Sequence, residues 1–280
     1  MNRSIRRILT ANSLSRRLYF AARQAYRLQS TNVIAWRYFQ NADELKSALR
    51  SRAATKLVDL HTADGLTITI RPNYGDAMTV AEIFMGNDYV RGLDLPDNPV
   101  VVDVGGFIGD FALYAVKRLN ASRVIVCEPS PRNWILLLKN IANNGYEDRI
   151  EAVNKAVTDG GSVMMNLDGP DESQCMVSAY YGSGEQLTAV SGISLGDLLR
   201  DRAVERVDLL KIDCEGGEFA ILESTPSDVF SRIRNIVFEY HQIEGVWAKL
   251  ESVKRQLPRE GYALHTRGGL ISASRPAFVN

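Results

Sequence analysis

Short apolar runs alternate along the chain with longer segments in which apolar residues recur every three or four positions. The clearest unit starts with VVVDV at 100–104, turns through GGFIGD at 105–110 and continues into an amphipathic segment over 111–119. This order predicts a buried strand, a tight turn and a helix. The same order recurs at 123–144 and at 207–222. The chain is therefore predicted to form an α/β fold around a mainly parallel sheet.

The glycines of the first turn predict a ligand close to the backbone, because a side chain there would clash. The dinucleotide fingerprint G-x-G-x-x-G fits neither frame, since Phe107 and Ile108 stand where glycine is needed. Asp103 and Asp110 place negative charge on both sides of the turn, which opposes a pyrophosphate and favours a ligand with an ammonium group. S-adenosylmethionine is such a ligand. The alternative is a turn with capping acids and no ligand.

The next two predicted strands suggest where the rest of such a ligand lies. The second buried strand ends at Glu128, the position from which an acid binds a ribose diol. The third strand is predicted over 150–157. Its end faces the adenine side, where Asn154 or the backbone near Ala156 and Val157 would bond the base.

Acids and a histidine follow two further buried strands, predicted over 207–213 and 233–240. Ligands bind outside the carboxyl ends of strands in an open α/β sheet, so these side chains should converge. They suit either general base catalysis or a divalent metal, for which oxygen ligands favour magnesium or calcium over zinc. We favour metal-free catalysis, and for Glu218 we favour a simple role as a charge at a helix N-terminus. The predicted catalytic residues are Asp213, His241, Glu215 and Glu239.

The first thirty residues contain seven arginines and no acid, interleaved with apolar side chains. Such a segment fits a transit peptide, a membrane-surface helix, or a helix or tail lying on the protein body. We favour the last of these and expect at most weak contact with a membrane surface. A helical pattern continues to Leu49, and a hairpin with an Asp-Gly turn is predicted over 57–70. The chain is therefore divided into a basic, helical N-terminal appendage over 1–56 and a larger domain over 57–280.

Composition narrows the function classes. The net charge is zero, which argues against a globally basic nucleic-acid binder. No apolar run is long enough to span a membrane. The three cysteines are widely spaced and odd in number, so reduced thiols in the cytoplasm are expected.

Two further features concern the ligand site. Tyr89 either covers the ligand or packs in the core. The long loop over 168–187 is the expected acceptor-recognition region.

Four motifs, in this order along the chain, resemble those of the FkbM family of S-adenosylmethionine-dependent methyltransferases. They are DVGGFIG at 103–109, EPSP at 128–131, ISLGDLL at 193–199 and LLKIDCEGGE at 209–218. The stretch 70–89 is similar to the lead-in of that family, whereas Phe107 departs from it because the family commonly has asparagine there. The resemblance implies a class I methyltransferase fold, which is a Rossmann-like, seven-stranded sheet with helices on both faces and its last strand antiparallel. It also implies O-methylation of a sugar or natural-product hydroxyl.

The predicted function is therefore methyl transfer from S-adenosylmethionine to a small acceptor, a carbohydrate or a glycosylated metabolite, with Asp213 or His241 as the base. A cofactor-binding regulatory or scaffold protein of the same fold is the main alternative. A nucleotide-dependent oxidoreductase is a second one, which the glycine spacing does not support. The predicted cofactor residues are Asp103, Gly105, Gly106 and Gly109 for the methionine end, Glu128 for the ribose, and Asn154, Ala156 and Val157 for the adenine.

Overall fold

The computed structural model describes residues 35–51, 56–72, 74–86, 88–166, 187–214, 216–241, 246–267, 269–276 and 278. The arginine-rich first thirty residues, Glu215 and the predicted recognition loop apart from Leu187 lie outside the described residues. Cys175 lies outside them too, whereas Cys127 and Cys214 are described and are free thiols. In these described ranges, no helix combines the length and the apolar character that crossing a membrane requires.

Strands and helices alternate through much of the described chain, as an α/β fold requires. The strands are β1 Val58–His61, β2 Thr67–Ile70, β3 Val100–Val104, β4 Arg123–Cys127, β5 Ile150–Val153, β6 Ala156–Thr158, β7 Val163–Met165, β8 Thr188–Val190, β9 Gly192–Ser194, β10 Val207–Ile212, β11 Ile233–Glu239, β12 Ala263–Arg267 and β13 Leu270–Ser274. The helices are α1 Ala42–Arg50, α2 Tyr74–Ala81, α3 Asp110–Arg118, α4 Pro131–Asn143, α5 Leu195–Asp201, α6 Glu218–Ser224, α7 Ser227–Phe230 and α8 Val246–Arg259. A 3₁₀ turn at Ala35–Arg37 precedes α1, and a π-helical turn at Glu82–Gly86 extends α2.

Seven strands form one sheet in the order β5-β4-β3-β10-β11-β13-β12. The five strands from β5 to β11 in this order are parallel, whereas β13 runs antiparallel to both of its neighbours. The last strand of the chain is therefore the antiparallel one, and the sheet that the family resemblance implied is confirmed. The carboxyl ends of β3, β4 and β10 meet at one edge, beside the point where the strand order reverses. Ligands bind at such an edge in open α/β sheets.

Both faces of the sheet are covered because alternate residues of the central strands point to opposite sides. Val101 belongs to a hydrophobic cluster that also contains Phe39 and Phe111. Val102 belongs to a second cluster, which contains Phe219. The continuous apolar run of β3 is thus explained by burial on both faces.

The strand predicted over 150–157 is interrupted. β5 ends at Val153, and β6 begins at Ala156 and pairs with β9 instead of the seven-stranded sheet. Between them, the backbone N–H of Lys155 donates to the carbonyl of Val153 at 2.9 Å and closes a tight turn. The alternation of apolar residues is the same whether a strand has one partner or two, so the pattern could not show the break. The short β7 follows β6 and pairs with β8 in a separate two-stranded sheet.

The predicted hairpin of β1 and β2 is confirmed, and an asparagine of α4 and the one at its C-cap bond to its β2 side. Asn140 accepts the N–H of Thr69 at 2.7 Å and donates to its carbonyl at 3.1 Å. Asn144 makes the same pair of bonds with Thr67, at 2.9 Å and 2.8 Å. Four residues of a helix rise about 6 Å and two residues of a strand rise about 6.7 Å, so the two spacings match. Helix α4 therefore satisfies the backbone of β2 as a neighbouring strand would.

The segment around α1 covers the other side of the hairpin. Asn41 accepts the N–H of His61 at 2.8 Å and donates to the carbonyl of Asp59 at 2.8 Å. The Phe39 ring is buried and meets the ring of Phe84 edge to face, with centroids 6.2 Å apart. The helical pattern predicted near residue 49 is thus α1, and it packs into the same core as α2 and α3.

Candidate active site

The turn after β3 contains three of the predicted cofactor-binding glycines. Gly105 has a φ of +80°, and a Cβ there would lie 1.8 Å from the backbone carbonyl oxygen of Asp213. A Cβ on Gly106 would lie 2.1 Å from Cγ2 of Val126. Glycine was expected here to make room for a ligand, but the chain itself requires it, because the turn packs directly against β10 and β4. Gly109 is the N-cap of α3 and also has a positive φ.

Glu128 follows β4 and is almost fully buried. Its Oε2 accepts the backbone N–H of Phe107 at 2.9 Å, and its Oε1 accepts that of Ser130 at 2.8 Å. Burial raises the pKa of Glu128 to about 7, and the two backbone hydrogen bonds partly offset this rise. The carboxylate thus joins the end of β4 to the glycine turn, at the edge where ribose binding is predicted.

The three predicted adenine-binding residues differ in what they contact. The side-chain amide of Asn154 donates to the backbone carbonyl of Glu128 at 2.8 Å, so it braces the chain after β4. Ala156 and Val157 instead line a cavity of about 280 Å³ at the carboxyl edge of the sheet. The other lining residues include Val104, Gly105, Cys127, Pro129, Met165, Cys214 and Gly217.

Lys211 in β10 is a buried cation beneath the glycine turn. Its Nζ donates to Oδ1 of Asp103 at 2.9 Å and to the carbonyl of Gly105 at 3.3 Å, and lies 3.9 Å from Oδ2 of Asp213. Burial alone would lower the pKa of Lys211, but the carboxylates of Asp103 and Asp213 raise it above its usual value, so the amine stays charged. The second oxygen of Asp103 is buried and has no hydrogen-bond partner among the residues that the structure describes.

Asp213 and Glu239 both contact the phenol of Tyr89. The hydroxyl oxygen lies 2.7 Å from Oδ2 of Asp213 and 3.1 Å from Oε2 of Glu239. Burial, together with these two carboxylates, raises the pKa of Tyr89 well above its usual range, so the hydroxyl keeps its proton. Tyr89 is therefore more than a packing residue, because it holds two of the predicted catalytic acids together.

His241 is held by an acid that the sequence did not single out for this role. Nδ1 of His241 lies 2.6 Å from Oε1 of Glu218, and Nε2 lies 3.7 Å from Oδ1 of Asp213. Glu218 is fully buried, and both of its oxygens also accept the N–H of Gly216 at 3.1 Å. The prediction that Glu218 is only a charge at a helix N-terminus is therefore incomplete. Glu218 and His241 follow two neighbouring parallel strands, and whether their side chains meet depends on how far each strand extends, for which the sequence has no signal.

The structure thus brings Asp213, Glu239 and His241 together and places them beside the glycine turn. Glu215 lies outside the described residues. Among the residues that are described, no group of three or more acids, histidines or cysteines is arranged to hold a metal ion. Burial raises the pKa of the thiols of Cys127 and Cys214, so neither is an activated nucleophile. The chemistry that this arrangement supports is proton transfer at the imidazole of His241, between the carboxylates of Glu218 and Asp213.

Known proteins are similar to this chain in sequence. Residues 103–264 match the family described as the methyltransferase FkbM domain. The methyltransferase sdnD of Sordaria araneosa is 26% identical over 230 residues, which cover 72% of this chain and 88% of the relative. The 31-O-demethyl-FK506 methyltransferase FkbM of Streptomyces tacrolimicus is 26% identical over 228 residues, covering 70% and 86%. The crystal structure of methyltransferase FkbM from Methylobacillus flagellatus KT has a TM-score of 0.47 and 14% identity, covering 84% of this chain and 59% of that one. Since the family match spans more than half of the sequence, this chain belongs to the FkbM family of methyltransferases.

Proposed function

We propose that this methyltransferase uses S-adenosylmethionine to methylate a hydroxyl group of a small molecule, a carbohydrate or another natural product. The observation that carries the proposal is the pair of Glu218 and His241 beside Asp213 at the ligand-binding edge of the sheet. One relative is named as a methyltransferase of 31-O-demethyl-FK506, which supports a natural-product acceptor.

The residues around the glycine turn fit this cofactor. Asp103 offers a buried oxygen that no described residue bonds, which suits a cationic ligand. Glu128 offers a carboxylate at the end of β4, next to the cavity. When bound, the cofactor supplies a methyl group on a positively charged sulfur, already activated for displacement. Asp103, Gly105, Gly106 and Gly109 would hold its methionine end, Glu128 its ribose, and Ala156 and Val157 its adenine, with Asn154 bracing Glu128.

His241 is the proposed general base. Because Nδ1 faces the buried carboxylate of Glu218, the ring carries its proton on Nδ1, and Nε2 becomes the proton-accepting atom. Nε2 takes the proton that the acceptor hydroxyl loses, and the carboxylates of Glu218 and Asp213 stabilise the imidazolium that forms. Tyr89 keeps Asp213 in place, and its hydroxyl also contacts Glu239.

The charges beside His241 favour an acceptor that is neutral near its reacting hydroxyl. Asp213, Glu239 and Glu218 are acids, and the ammonium of Lys211 is buried and paired with Asp103. A phosphate or carboxylate next to the reacting group would be repelled by these carboxylates. A neutral sugar or natural product meets no such repulsion, so phosphorylated acceptors are expected to be poor ones.

Methyl transfer from labelled S-adenosylmethionine to a panel of hydroxylated sugars and natural products, with phosphorylated counterparts, tests the proposal. In His241→Asn, turnover should fall on the order of a hundredfold to ten-thousandfold, the usual range for losing a general base, while S-adenosylhomocysteine still binds. Glu218→Gln should lower turnover as well, and Glu218→Asp should restore part of it. The control is His265→Asn, which changes an exposed histidine in β12 and should leave turnover unchanged.

The outcomes separate the alternatives. Full turnover in His241→Asn would contradict the assignment of the base. Loss of turnover with EDTA that magnesium restores would support the metal-assisted mechanism instead. Binding of S-adenosylhomocysteine without methylation of any acceptor would favour the regulatory or scaffold protein. Absence of binding would contradict the choice of cofactor.

The compartment is proposed from the cysteines. Cys127 and Cys214 are free thiols, and stable disulfides are typical of secreted proteins and rare in the cytosol. We therefore place the protein in the cytoplasm. Weak contact of the arginine-rich first thirty residues with an anionic membrane surface stays a proposal.

A further inference from the structure

Arg71 is a buried arginine between β2 and α2, outside the residues 103–264 that match the family. Its guanidinium forms two hydrogen bonds with Asp76, from Nε to Oδ2 at 2.9 Å and from Nη2 to Oδ1 at 2.8 Å. Asp76 also accepts the backbone N–H of Arg71 at 2.9 Å. A bidentate pair of this kind fixes the plane and the direction of the guanidinium.

The fixed guanidinium orients Asn133 in the first turn of α4. Nη2 of Arg71 donates to Oδ1 of Asn133 at 3.0 Å. Because the amide oxygen faces Arg71, the amide nitrogen faces the other way, and it lies 3.4 Å from Oε1 of Glu128 as a donor. The reversed amide would place donor against donor at Arg71 and acceptor against acceptor at Glu128. The hydrogen bond from Arg71 thus determines that the amide nitrogen of Asn133, and not its oxygen, faces Glu128.

A second route from Arg71 to Glu128 passes through Phe107. The Cζ atom of Arg71 lies 5.4 Å from the centre of the Phe107 ring, within the range of a cation–π contact. Phe107 has a φ of +48°, a left-handed conformation that bulky residues rarely adopt. The ring contact supports this conformation, and the backbone N–H of Phe107 donates to Oε2 of Glu128 at 2.9 Å. Both oxygens of Glu128 therefore have a donor from a residue that contacts Arg71.

We infer that Arg71, held by Asp76, is a positioning residue that aligns the carboxylate of Glu128 with the ribose hydroxyls of the cofactor through Asn133 and Phe107. This inference rests on the proposed function. Packing alone does not explain the arrangement, because burying a charged pair costs desolvation energy that an apolar pair of similar size avoids. Residues that precede the family match thus form part of the support of the cofactor site.

Binding of two ligands to the free protein separates positioning from packing. The ligands are S-adenosylhomocysteine and its 2′,3′-dideoxy analogue, which lacks the ribose hydroxyls. By titration calorimetry, the wild type should bind S-adenosylhomocysteine on the order of tenfold to a hundredfold more tightly than the analogue, as expected for hydrogen bonds to a charged group. Glu128→Ala should bind both ligands equally. Arg71→Lys and Asn133→Ala should bind the analogue as the wild type does and lose most of the preference, since lysine cannot reproduce the planar set of bonds.

Arg118→Lys is the matched control. Arg118 forms an ion pair with Asp64 in the turn of the hairpin and is not one of the residues that link Asp76 to Glu128. It should change neither affinity. Equal weakening of both ligands in Arg71→Lys and Asn133→Ala, or an unchanged preference, would overturn the inference and leave a packing role. Thermal melting of each ligand-free variant first shows whether the variant folds. If Arg71→Lys does not fold, Asn133→Ala alone tests the inference. A wild type that does not bind S-adenosylhomocysteine would overturn the proposed function, and the inference with it.

Discussion

Burial and cofactor binding shift the pKa of the Glu128 carboxyl in opposite directions. Burial raises its pKa to about 7, so near neutral pH the folded protein without ligand contains a mixture of the protonated and ionised forms. Ribose hydroxyls donate hydrogen bonds, which favour the ionised form. Binding of the cofactor should therefore lower the pKa of Glu128 and release a proton.

This linkage gives a pH dependence with a definite sign. We expect the Kd of S-adenosylhomocysteine to rise as the pH falls below about 7, by at most about tenfold per pH unit, because protonated Glu128 has to ionise before it accepts the ribose bonds. Glu128→Gln removes this titration, so its weaker binding should depend less on pH over the same range. Burial also raises the pKa of Asp110 to about 7, and Asp110 is present in both proteins. Calorimetry in two buffers of different ionisation enthalpy should therefore show more proton release for the wild type than for Glu128→Gln. Proton uptake on binding, or the same pH dependence in both proteins, would contradict this role.

At the scale of single elements, α4 shows why an apolar pattern does not determine which face of a helix is buried. Trp134, Leu137, Leu138 and Ile141 recur at helical spacing, but the structure leaves Leu138 43% exposed. Asn133 and Asn140 are buried instead. The helix lies against the backbone of β2 and the glycine turn, whose N–H and C=O groups need polar partners. Polar residues are therefore favoured inside at this contact, which a hydrophobicity pattern alone does not reveal.

Asn140 makes several of these bonds and is the position to test. Besides bonding Thr69, its amide donates to the carbonyl of Ile108 in the glycine turn at 2.8 Å. Asn140→Ala should lower the free energy of unfolding by about 3 kcal/mol or more, because several buried backbone groups lose their partner. Lys139→Ala, at the neighbouring exposed position, should change it by less than about 0.5 kcal/mol. Urea unfolding measures the stability of both variants. Equal stability would show that the hydrogen bonds of Asn140 contribute little to folding.

At the scale of the whole molecule, the order of the sheet was predictable and the polar contacts between elements were not. The runs at β3, β4 and β10 are buried on both faces, so composition alone identifies them, and the family motifs imply their order. The pair of Glu218 and His241 depends instead on which strands are neighbours and on how far each extends. The break between β5 and β6 depends on a partner strand some thirty-five residues later along the chain. Such features follow from tertiary pairing and leave no period in the sequence.

The division predicted at residue 56 can be tested by truncation. A chain that begins at residue 57 lacks Phe39 and Leu45, which are fully buried, and Phe84 loses its edge-to-face contact with the Phe39 ring. Its free energy of unfolding should be lower by several kcal/mol than that of a chain beginning at residue 35, which keeps these contacts. Urea unfolding of the two shortened chains gives the comparison. Equal stability would mean that residues 35–56 are a separable appendage.

The asparagines on both sides of the β1–β2 hairpin also bear on self-association. A two-stranded sheet has two edges, and open edges can pair with strands of other molecules as an early step of aggregation. Here Asn41 occupies the edge of β1, while Asn140 and Asn144 occupy the edge of β2. Amide side chains satisfy the same N–H and C=O groups as a further strand, but they offer no new edge in turn. Amide side chains thus occupy both edges of this small sheet, which hinders its pairing with strands of other molecules.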